Sequence, residues 1–557
     1  MHLTTDFLFV HSQSLSKPLT HSPAFERPLL FLFLLCLALL NPWVRGDGVG
    51  YYAFARAPLI EHSLNFEHDY ISANTAFREA RIDEHGQPRD FFRTRTGHLD
   101  NHFTVGPAML WTPFLLLAHG SVLLARALGS QVLADGFSAP YRLAMAFGTA
   151  FWGFLGLLLA FRIARQYAGD VWAFLATLAI WWASSLPVYM YFNPSWSHAH
   201  SAFAVSLFIF YWHRTRERRT LRQWCVLALT AGLMLNVYYA NALLLTVLLV
   251  EALRDYAAAF RGAAARQAVA PFSGDTGEPS HAHSAPAAAG LGGTHSAPGA
   301  SQLDGTYSAS GAGRLDGTLS AGGAAGRATV SQLLARHLVF AAIMILCLLP
   351  TFITRYIVYG GAFESGYISV QHWAWRSPYF LAVLFSSEHG LFSWTPLLLL
   401  ATVGLVLFAW REPRVGTPLL AAAVAFYVFI ACYPDWAGIS SFGNRFFVSL
   451  TPLFILGLSV LLQRFATLFR SRRAAVATAS VVLAAFVLWN AGFMFQWGAH
   501  LIPPRGPISW STMIHNQFSV APRQMKNSLQ NYLFHRHDLM RQIENRDMDQ
   551  MKNQSTP

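Results

Sequence analysis

Long apolar runs alternate with short polar or basic segments along most of this chain. Each run is close to the roughly 20 residues that an α-helix needs to cross the hydrocarbon core of a bilayer. The pattern therefore predicts an all-α polytopic membrane protein with about 11 transmembrane helices. The predicted crossings are 28–44, 141–163, 171–192, 199–213, 222–237, 238–253, 336–358, 392–410, 416–433, 446–463 and 474–492.

Charge supports this class and orients the predicted helices. Hydrophobic residues make up 54% of the chain and charged residues 12%, against about 25% charged residues in soluble proteins. Arginines concentrate in the short loops 162–165, 214–219, 411–414 and 464–473, and loops of this kind face the cytoplasm. The formal net charge of +12 is scattered between the spans and not gathered on one domain, which argues against nucleic-acid binding.

Residues 106–128 are apolar enough to cross the membrane, but we do not count them as a crossing. Pro107 and Pro113 are expected to break the helix near its start. A crossing here would also place Arg162 and Arg165 outside, against the orientation rule. We therefore interpret this segment as a re-entrant or interfacial helix in the outer leaflet.

The apolar stretch 222–253 is long for one span and short for two. Polar residues between Asn236 and Asn241 interrupt it. We expect two short helices that meet at the outer face, since interrupted helices at membrane depth are tolerated where they line a cavity.

Composition divides the chain into five regions. Residues 256–330 are rich in Ala, Gly and Ser and contain near-repeats, so we predict a disordered cytoplasmic linker there. The other predicted regions are a cytoplasmic N-terminus (1–27), an N-terminal transmembrane bundle (28–255) with juxtamembrane helices in a long first outer loop (45–140), a C-terminal bundle (331–495) and a polar outer tail (496–557).

The predicted orientation places most ionisable side chains of the loops at the outer surface. Asp47 directly follows the first apolar run, between Gly46 and Gly48. A charge at this depth is costly unless it has a function, and glycine neighbours let a backbone approach a ligand closely. An ordinary polar turn after a helix is the alternative interpretation of Asp47.

Carboxylates, imidazoles, guanidiniums and aromatic rings thus meet at one membrane surface, a mixture that suits a polar, sugar-like ligand beside lipid. The candidate substrate-binding residues are Tyr51, Tyr52, Asp100, His102, His389 and Trp436.

Several segments together resemble the GT-C superfamily of membrane glycosyltransferases. The first span ends in Gly46-Asp47-Gly48, Tyr51-Tyr52 and a long outer loop follow, and 101–107 leads into an apolar helix. Segments 388–396 and 436–445 are similar to later outer loops of the bacterial branch related to protein mannosyltransferases and to the aminoarabinose lipid A transferase. The order of spans and loops resembles that of the superfamily over most of the chain, whereas specific motifs are similar in only a few places.

The resemblance implies an enzyme in a bacterial inner membrane with its active site on the periplasmic side. It would move a sugar from a polyprenyl-phosphate donor, presented from the membrane lipid, to a glycan, lipid or protein acceptor, and nucleic acid has no role. Asp47 corresponds to the family's first-loop aspartate, as general base on an acceptor hydroxyl or as a ligand that helps hold a divalent ion. Arg445 or Arg376 would bind the departing phosphate, because a guanidinium matches its geometry.

The chain departs from the family in the next outer loop, which usually carries a second acidic residue. The segment 195–200 has no Asp or Glu. Either His198 takes over the role or the acid comes from elsewhere, with Glu388, Asp69 and Asp100 as the options. We select Asp47, Glu388 and His198 as the catalytic candidates.

The histidines favour ordinary hydrogen bonding over a metal centre. His198 and His200 are two residues apart, so they diverge on a helix and share a face only in an extended chain. His102 with Asp100, or His389 with Glu388, could complete a site, but a catalytic zinc needs three protein ligands. We predict no metal ligands and no certain cofactor, and a divalent cation stays an open alternative.

A transporter or flippase of lipid-linked saccharide is the alternative function. Transporters also place ionisable groups in the membrane and break helices, but they often have paired repeats in their two halves. No such repeat is visible here, and the acidic groups lie on one face. A non-catalytic scaffold would not need Asp47, Glu388 and Arg445 at the ends of spans.

Overall fold

The computed structural model describes residues 23–269, 329–503 and 505–555. Within these ranges every regular element is a helix, apart from two isolated bridges at Ile82–Pro88 and Arg93–Leu99, so the expected all-α fold is confirmed. The first ten α-helices are α1 (Glu26–Cys36), α2 (Asp47–Arg56), α3 (Glu67–Ile71), α4 (Thr75–Arg81), α5 (Gly106–Ala127), α6 (Ala139–Ala168), α7 (Asp170–Trp182), α8 (His198–Thr215), α9 (Leu221–Val237) and α10 (Thr246–Val269). The others are α11 (Val330–Cys347), α12 (Leu349–Tyr359), α13 (Phe380–Phe385), α14 (Leu391–Trp394), α15 (Leu397–Arg411), α16 (Pro413–Cys432), α17 (Thr451–Ala466), α18 (Arg472–Gly498), α19 (Trp510–His515), α20 (Ala521–Phe534) and α21 (Arg536–Ser555).

Six helices of the described residues are long and apolar enough to cross a bilayer, which makes this an integral membrane protein. They are α5, α6, α11, α16, α18 and the segment Arg445–Ala466, which joins a short 3₁₀ turn to α17. The helices α7, α9 and α15 are apolar but shorter.

The basic loops lie at one end of the helix bundle. On α6, Arg162 donates hydrogen bonds of 3.0 and 2.7 Å to the carboxylate of Glu26 at the start of α1. Beyond the end of α8, Arg219 forms an ion pair with Glu251 of α10. These pairs neutralise part of the arginine charge that the orientation rule predicts on the cytoplasmic side.

α5 is a continuous helix, so the expected break at its prolines is wrong. Pro107 lies in the first turn, where the backbone N–H has no helical partner to lose, and Pro113 is accommodated inside the helix. The start of α5 packs closely on α9, since a Cβ on Gly106 would lie 2.4 Å from the carbonyl carbon of Asn236.

From this contact α5 runs antiparallel to the first half of α6. Trp111 donates a 2.8 Å hydrogen bond to Thr149, and His119 lies 2.7 Å from the hydroxyl of Tyr141. Higher numbers on α5 therefore pair with lower numbers on α6, and α5 points away from the basic end of the bundle. This course agrees with a segment that does not change sides, which stays a prediction.

The interruption expected near 236–241 is present. α9 ends at Val237, Tyr238 is extended, and a 3₁₀ helix from Tyr239 to Leu245 leads into α10. The side-chain amide of Asn241 donates to Ser201 of α8 at 2.9 Å, which satisfies a polar group at the break.

The two transmembrane regions, predicted as separate bundles at 28–255 and 331–495, pack together. α17 contacts α6 and α7 as well as α15. The crossing of α15 and α17 is very close, because a Cβ on Gly404 would lie 2.0 Å from the carbonyl oxygen of Gly457, as small residues permit in membrane helices. The described parts of Met1–Leu253 and Ala335–Pro557 form one compact unit, and those of Arg254–Leu334 form another.

The predicted linker is described only at its two ends, and the predicted tail over most of its length. Residues 256–269, expected to be disordered, continue helix α10, and 270–328 lie outside the described residues. The predicted N-terminal region 1–27 is described only from Pro23. The tail contains three helices, α19 to α21.

Candidate active site

Asp47 is the first residue of α2, immediately after a tight turn. Gly46 adopts φ +53°, a conformation that glycine accepts without strain. Gly48 lets α2 pack against the loop before α8, because a Cβ there would lie 2.0 Å from the Ser195 hydroxyl. Gly50 is equally constrained, because a Cβ on it would lie 2.1 Å from the Phe103 ring. Because these glycines have no Cβ, the segment that carries the Asp47 carboxylate can pack closely against neighbouring loops.

Asp47 forms an ion pair with Arg445. The Nη1 of Arg445 donates a 2.8 Å hydrogen bond to Asp47 Oδ2, and the two residues are 398 positions apart in the chain. The Arg445 side chain is 10% exposed and that of Asp47 is 33% exposed. The other carboxylate oxygen, Oδ1, has no hydrogen-bond partner within the described parts of the chain, so it is available to a ligand.

Aromatic side chains surround this pair. The Arg445 guanidinium lies 4.5 Å from the centre of the Trp196 ring, a cation–π arrangement. The Ser197 hydroxyl donates to the Tyr51 hydroxyl at 2.9 Å. Burial and the nearby Asp47 carboxylate raise the pKa of Tyr51, so its phenol stays neutral and can donate a hydrogen bond.

Several buried polar atoms beside the pair have no protein partner among the described residues. They are the Nε of Arg445, the Nδ1 of His198, the hydroxyl of Ser195 and the amide oxygen of Asn444. A buried polar atom without a partner costs free energy unless water or a ligand satisfies it. This concentration of unsatisfied donors and acceptors fits a site for a polar molecule.

Asp435 is a second carboxylate near the pair, and the sequence-based selection missed it. It lies in the loop between α16 and Arg445. Burial raises the pKa of Asp435; Arg445 opposes this rise and Asp47 adds to it. The charges of both members of the pair thus act on Asp435. Its position in the same loop as Trp436 and Arg445 was the signal available in the sequence.

Glu388 and His389 occupy a turn at the edge of this region. Glu388 Oε1 accepts a 2.7 Å hydrogen bond from the backbone N–H of Gly506. The Nδ1 of His389 lies 2.9 Å from the carbonyl oxygen of Ala437, to which it donates when the ring is neutral. Burial lowers the pKa of His389 to about 4, so the neutral ring links two loops.

Asp100 and His102 belong to a neighbouring polar cluster. The Tyr359 hydroxyl donates to Asp100 Oδ1, and His102 Nδ1 lies 3.7 Å from Asp100 Oδ2. The Tyr367 ring covers His102, with centroids 4.9 Å apart. His102 also packs on Phe103, whose ring contacts Tyr51 at 4.7 Å. The cluster therefore joins the Asp47 region through aromatic contacts.

The remaining predicted residues lie elsewhere or face away from the pair. Tyr52 donates to the carbonyl of Gly136 at 2.6 Å. Arg376 is exposed and makes no hydrogen bond or ion pair with the described residues. Trp436 is buried, and its carbonyl accepts a 3.2 Å hydrogen bond from Asn444.

Asp69 does not complete the site either. Its two carboxylate oxygens accept hydrogen bonds of 2.7 and 2.8 Å from Arg56, in a buried bidentate pair. Two of the candidates for a second catalytic acid are therefore bonded elsewhere. Asp69 pairs with Arg56, and Asp100 accepts a hydrogen bond from Tyr359. Asp435 is left as a carboxylate whose pKa is affected by both Asp47 and Arg445.

The residues around Asp47 do not fit a divalent cation. The Arg445 guanidinium already pairs with the Asp47 carboxylate through Oδ2, and its positive charge would repel a divalent cation at the same carboxylate. Across the described residues, no three His, Cys, Asp or Glu side chains converge as a ligand set.

Comparison with known proteins gives little beyond a distant structural likeness. No protein-family model matches the chain, and no curated protein matches it either. Among solved structures the chain is similar to the crystal structure of ArnT from Cupriavidus metallidurans in the apo state. The identity is 13%, the TM-score is 0.40, and the alignment covers 89% of this chain and 74% of that chain.

Proposed function

We propose that this protein is a membrane glycosyltransferase of the GT-C type. It moves a sugar from a polyprenyl-phosphate donor to a glycan, lipid or protein acceptor at the outer, periplasmic face of the inner membrane. The observation that carries the proposal is the Asp47–Arg445 pair, a carboxylate with one free oxygen joined to a guanidinium with unused donors. The resemblance of the surrounding motifs to that superfamily supports the same assignment.

Asp47 is the proposed general base. Its free Oδ1 accepts the proton of an acceptor hydroxyl as the hydroxyl oxygen bonds to the anomeric carbon. The bond from that carbon to the phosphate oxygen breaks, and its electron pair leaves with the polyprenyl phosphate. Attack opposite the leaving group inverts the anomeric centre. Arg445 orients the Asp47 carboxylate through Nη1 and offers its remaining N–H groups to the phosphate.

Asp435 and His198 are the proposed partners of this pair. Burial raises the pKa of Asp435, and its carboxylate can accept a hydrogen bond from a sugar hydroxyl. The unpartnered Nδ1 of His198 supports a hydrogen bond to a sugar hydroxyl. Glu388 lies at the edge of the site, and its negative charge adds to the rise in the pKa of Asp435.

Two variants and one matched control test the proposal. Asp47→Asn should keep the fold, because the amide fits the same space, and should lower transfer at least ~100-fold by removing the base. Arg445→Gln should lower it by a similar factor. Arg376→Gln removes the other arginine considered for the phosphate, which is exposed, and should transfer at the wild-type rate. Wild-type transfer by Asp47→Asn would refute the general-base role.

The assay also separates a transferase from a flippase, which the broken segment between α9 and α10 leaves as the second candidate. Purified protein in detergent is given labelled lipid-linked sugar and a lipid and glycan extract as the acceptor pool. Without a sealed compartment, an enzyme still consumes the donor. Donor that stays chemically unchanged with wild-type protein would favour the flippase.

A further inference from the structure

A cavity of about 930 Å³ lies beneath the C-terminal helices. One wall is the last part of α18, including Ala491 and Met494, and the facing wall is formed by α20 and α21, including Ser528 and Ile543. More of the wall is apolar than polar. The volume is at the upper end of the range for ligand sites, roughly 300–1,000 Å³. Because α18 is a candidate span, the cavity lies at the outer end of a membrane helix.

The tail that forms this wall is anchored to the first span. The Tyr532 hydroxyl donates to the carbonyl of Leu39 at 2.8 Å, and Arg536 Nη2 donates to the carbonyl of Ala38 at 2.9 Å. The last carbonyls of a helix lack helical partners and carry partial negative charge. The arginine and the tyrosine satisfy them, so α20 and α21 are docked and not loosely placed.

The polar end of the cavity is formed by Arg45. Its guanidinium lies 5.0 Å from the Trp43 ring and 5.8 Å from the Trp497 ring. The Asp547 carboxylate of α21 lies 3.5 Å from Arg45 Nη1 and also bonds His500 at 2.7 Å. An anionic group of the tail therefore already lies beside Arg45, at the mouth of an apolar cavity.

Residues that line the cavity contact residues of the candidate active site. The Trp196 indole N–H donates a 3.0 Å hydrogen bond to the carbonyl of Arg45. The same indole ring packs against the Arg445 guanidinium. His389 lines the cavity and bonds the carbonyl of Ala437 in the loop that holds Asp435. Two separate contacts thus join the cavity mouth to the residues around Asp47.

We infer that the tail helices α20 and α21 enclose a site for the isoprenoid chain of a polyprenyl phosphate, with Arg45 as a phosphate contact in place of Asp547. This inference rests on the proposed function. In such a donor the chain begins at the phosphate bonded to the reacting carbon, so its site must begin beside the base. The mouth at Arg45, two residues before Asp47, meets that requirement. The chain of an acceptor lipid has no such constraint.

Direct binding tests the inference. Purified full-length protein in detergent is titrated with radiolabelled polyprenyl phosphate that carries no sugar. Ser528→Trp fills the cavity from α20 and should weaken binding about tenfold or more. Asn527→Trp adds the same indole on the exposed face of the same helix and should bind as the wild type does. Ala491→Trp fills the cavity from the α18 wall, so the test does not depend on one variant folding.

Arg45→Gln tests the phosphate contact. It should weaken binding of polyprenyl phosphate about tenfold, the scale of a lost charge-assisted hydrogen bond, and leave binding of polyprenol unchanged. Wild-type affinity in both folded cavity-filling variants would overturn the inference, as would equal competition by a two-chain phospholipid. Lipid binding without transfer would refute the proposed function alone. Transfer with an unchanged KM for the donor in Ser528→Trp would refute the cavity alone.

Discussion

Burial decides the protonation of His389 and makes its contribution to stability depend on pH. A free histidine has a pKa of about 6.5, whereas the pKa of buried His389 is about 4. As the pH falls from 6.5 to 4, this histidine becomes protonated in the unfolded chain but stays neutral in the folded chain. The free energy of unfolding therefore decreases on acidification. Each pH unit in this window costs up to about 1.4 kcal/mol. We expect the melting temperature in detergent to fall across it.

His389→Gln isolates this contribution. Glutamine can keep a donor towards the carbonyl of Ala437 but does not titrate. Other buried histidines affect both proteins equally, so the difference between the two melting curves reports His389. The variant should lose less stability than the wild type between pH 6.5 and 4. Parallel curves would show that protonation of His389 does not control acid stability.

The ends of the apolar runs predicted some site residues but not their pairing. Asp47 and Arg445 each adjoin an apolar segment, where a charge stands out against its surroundings. Their contact joins positions 398 residues apart, and no periodicity encodes such a distance. Arg376 was as plausible as Arg445 from its residue type. Asp435 was passed over because its burial and coupling to Asp47 depend on how the loops fold.

Among the helices, α5 shows how proline position changes a prediction. A proline in the first turn costs no hydrogen bond, so Pro107 starts the helix that it was expected to break. The break after α9 was predicted correctly because polar residues interrupt an apolar run there. The direction of α5 was inferred from the arginine loops, and its antiparallel contacts with α6 agree with that inference.

Cysteine labelling tests the side on which α5 ends. If α5 does not cross, the exposed Ser130 between α5 and α6 lies on the outer side. With the four native cysteines replaced, Ser130→Cys should react in intact cells with a reagent that cannot cross membranes. Glu217→Cys, in an arginine loop, should react only after the cells are made permeable. Protection of Ser130→Cys in intact cells would mean that α5 crosses.

The whole bundle is held together by contacts between its two sequence halves. α17 from the second half packs on α6 and α7 from the first, and Arg445 from the second half pairs with Asp47 from the first. The apolar pattern predicted the spans, and the composition of residues 256–330 predicted the linker between the two halves. They could not predict the interleaving, because lipid-facing and helix-facing surfaces are similarly apolar in a membrane protein.

Because the two sequence halves pack against each other, we expect them to stay associated after the chain is cut between them. A specific protease site placed within 270–328, whose composition predicts a linker, allows the purified protein to be cut into two fragments. The contacts of α17 with α6 and α7 remain after the cut, so the fragments should co-elute in detergent and keep wild-type transfer activity. The uncut protein with the same insertion is the control. Separation of the fragments on a sizing column would show that the covalent connection, and not packing between the halves, holds the bundle and assembles the Asp47–Arg445 pair.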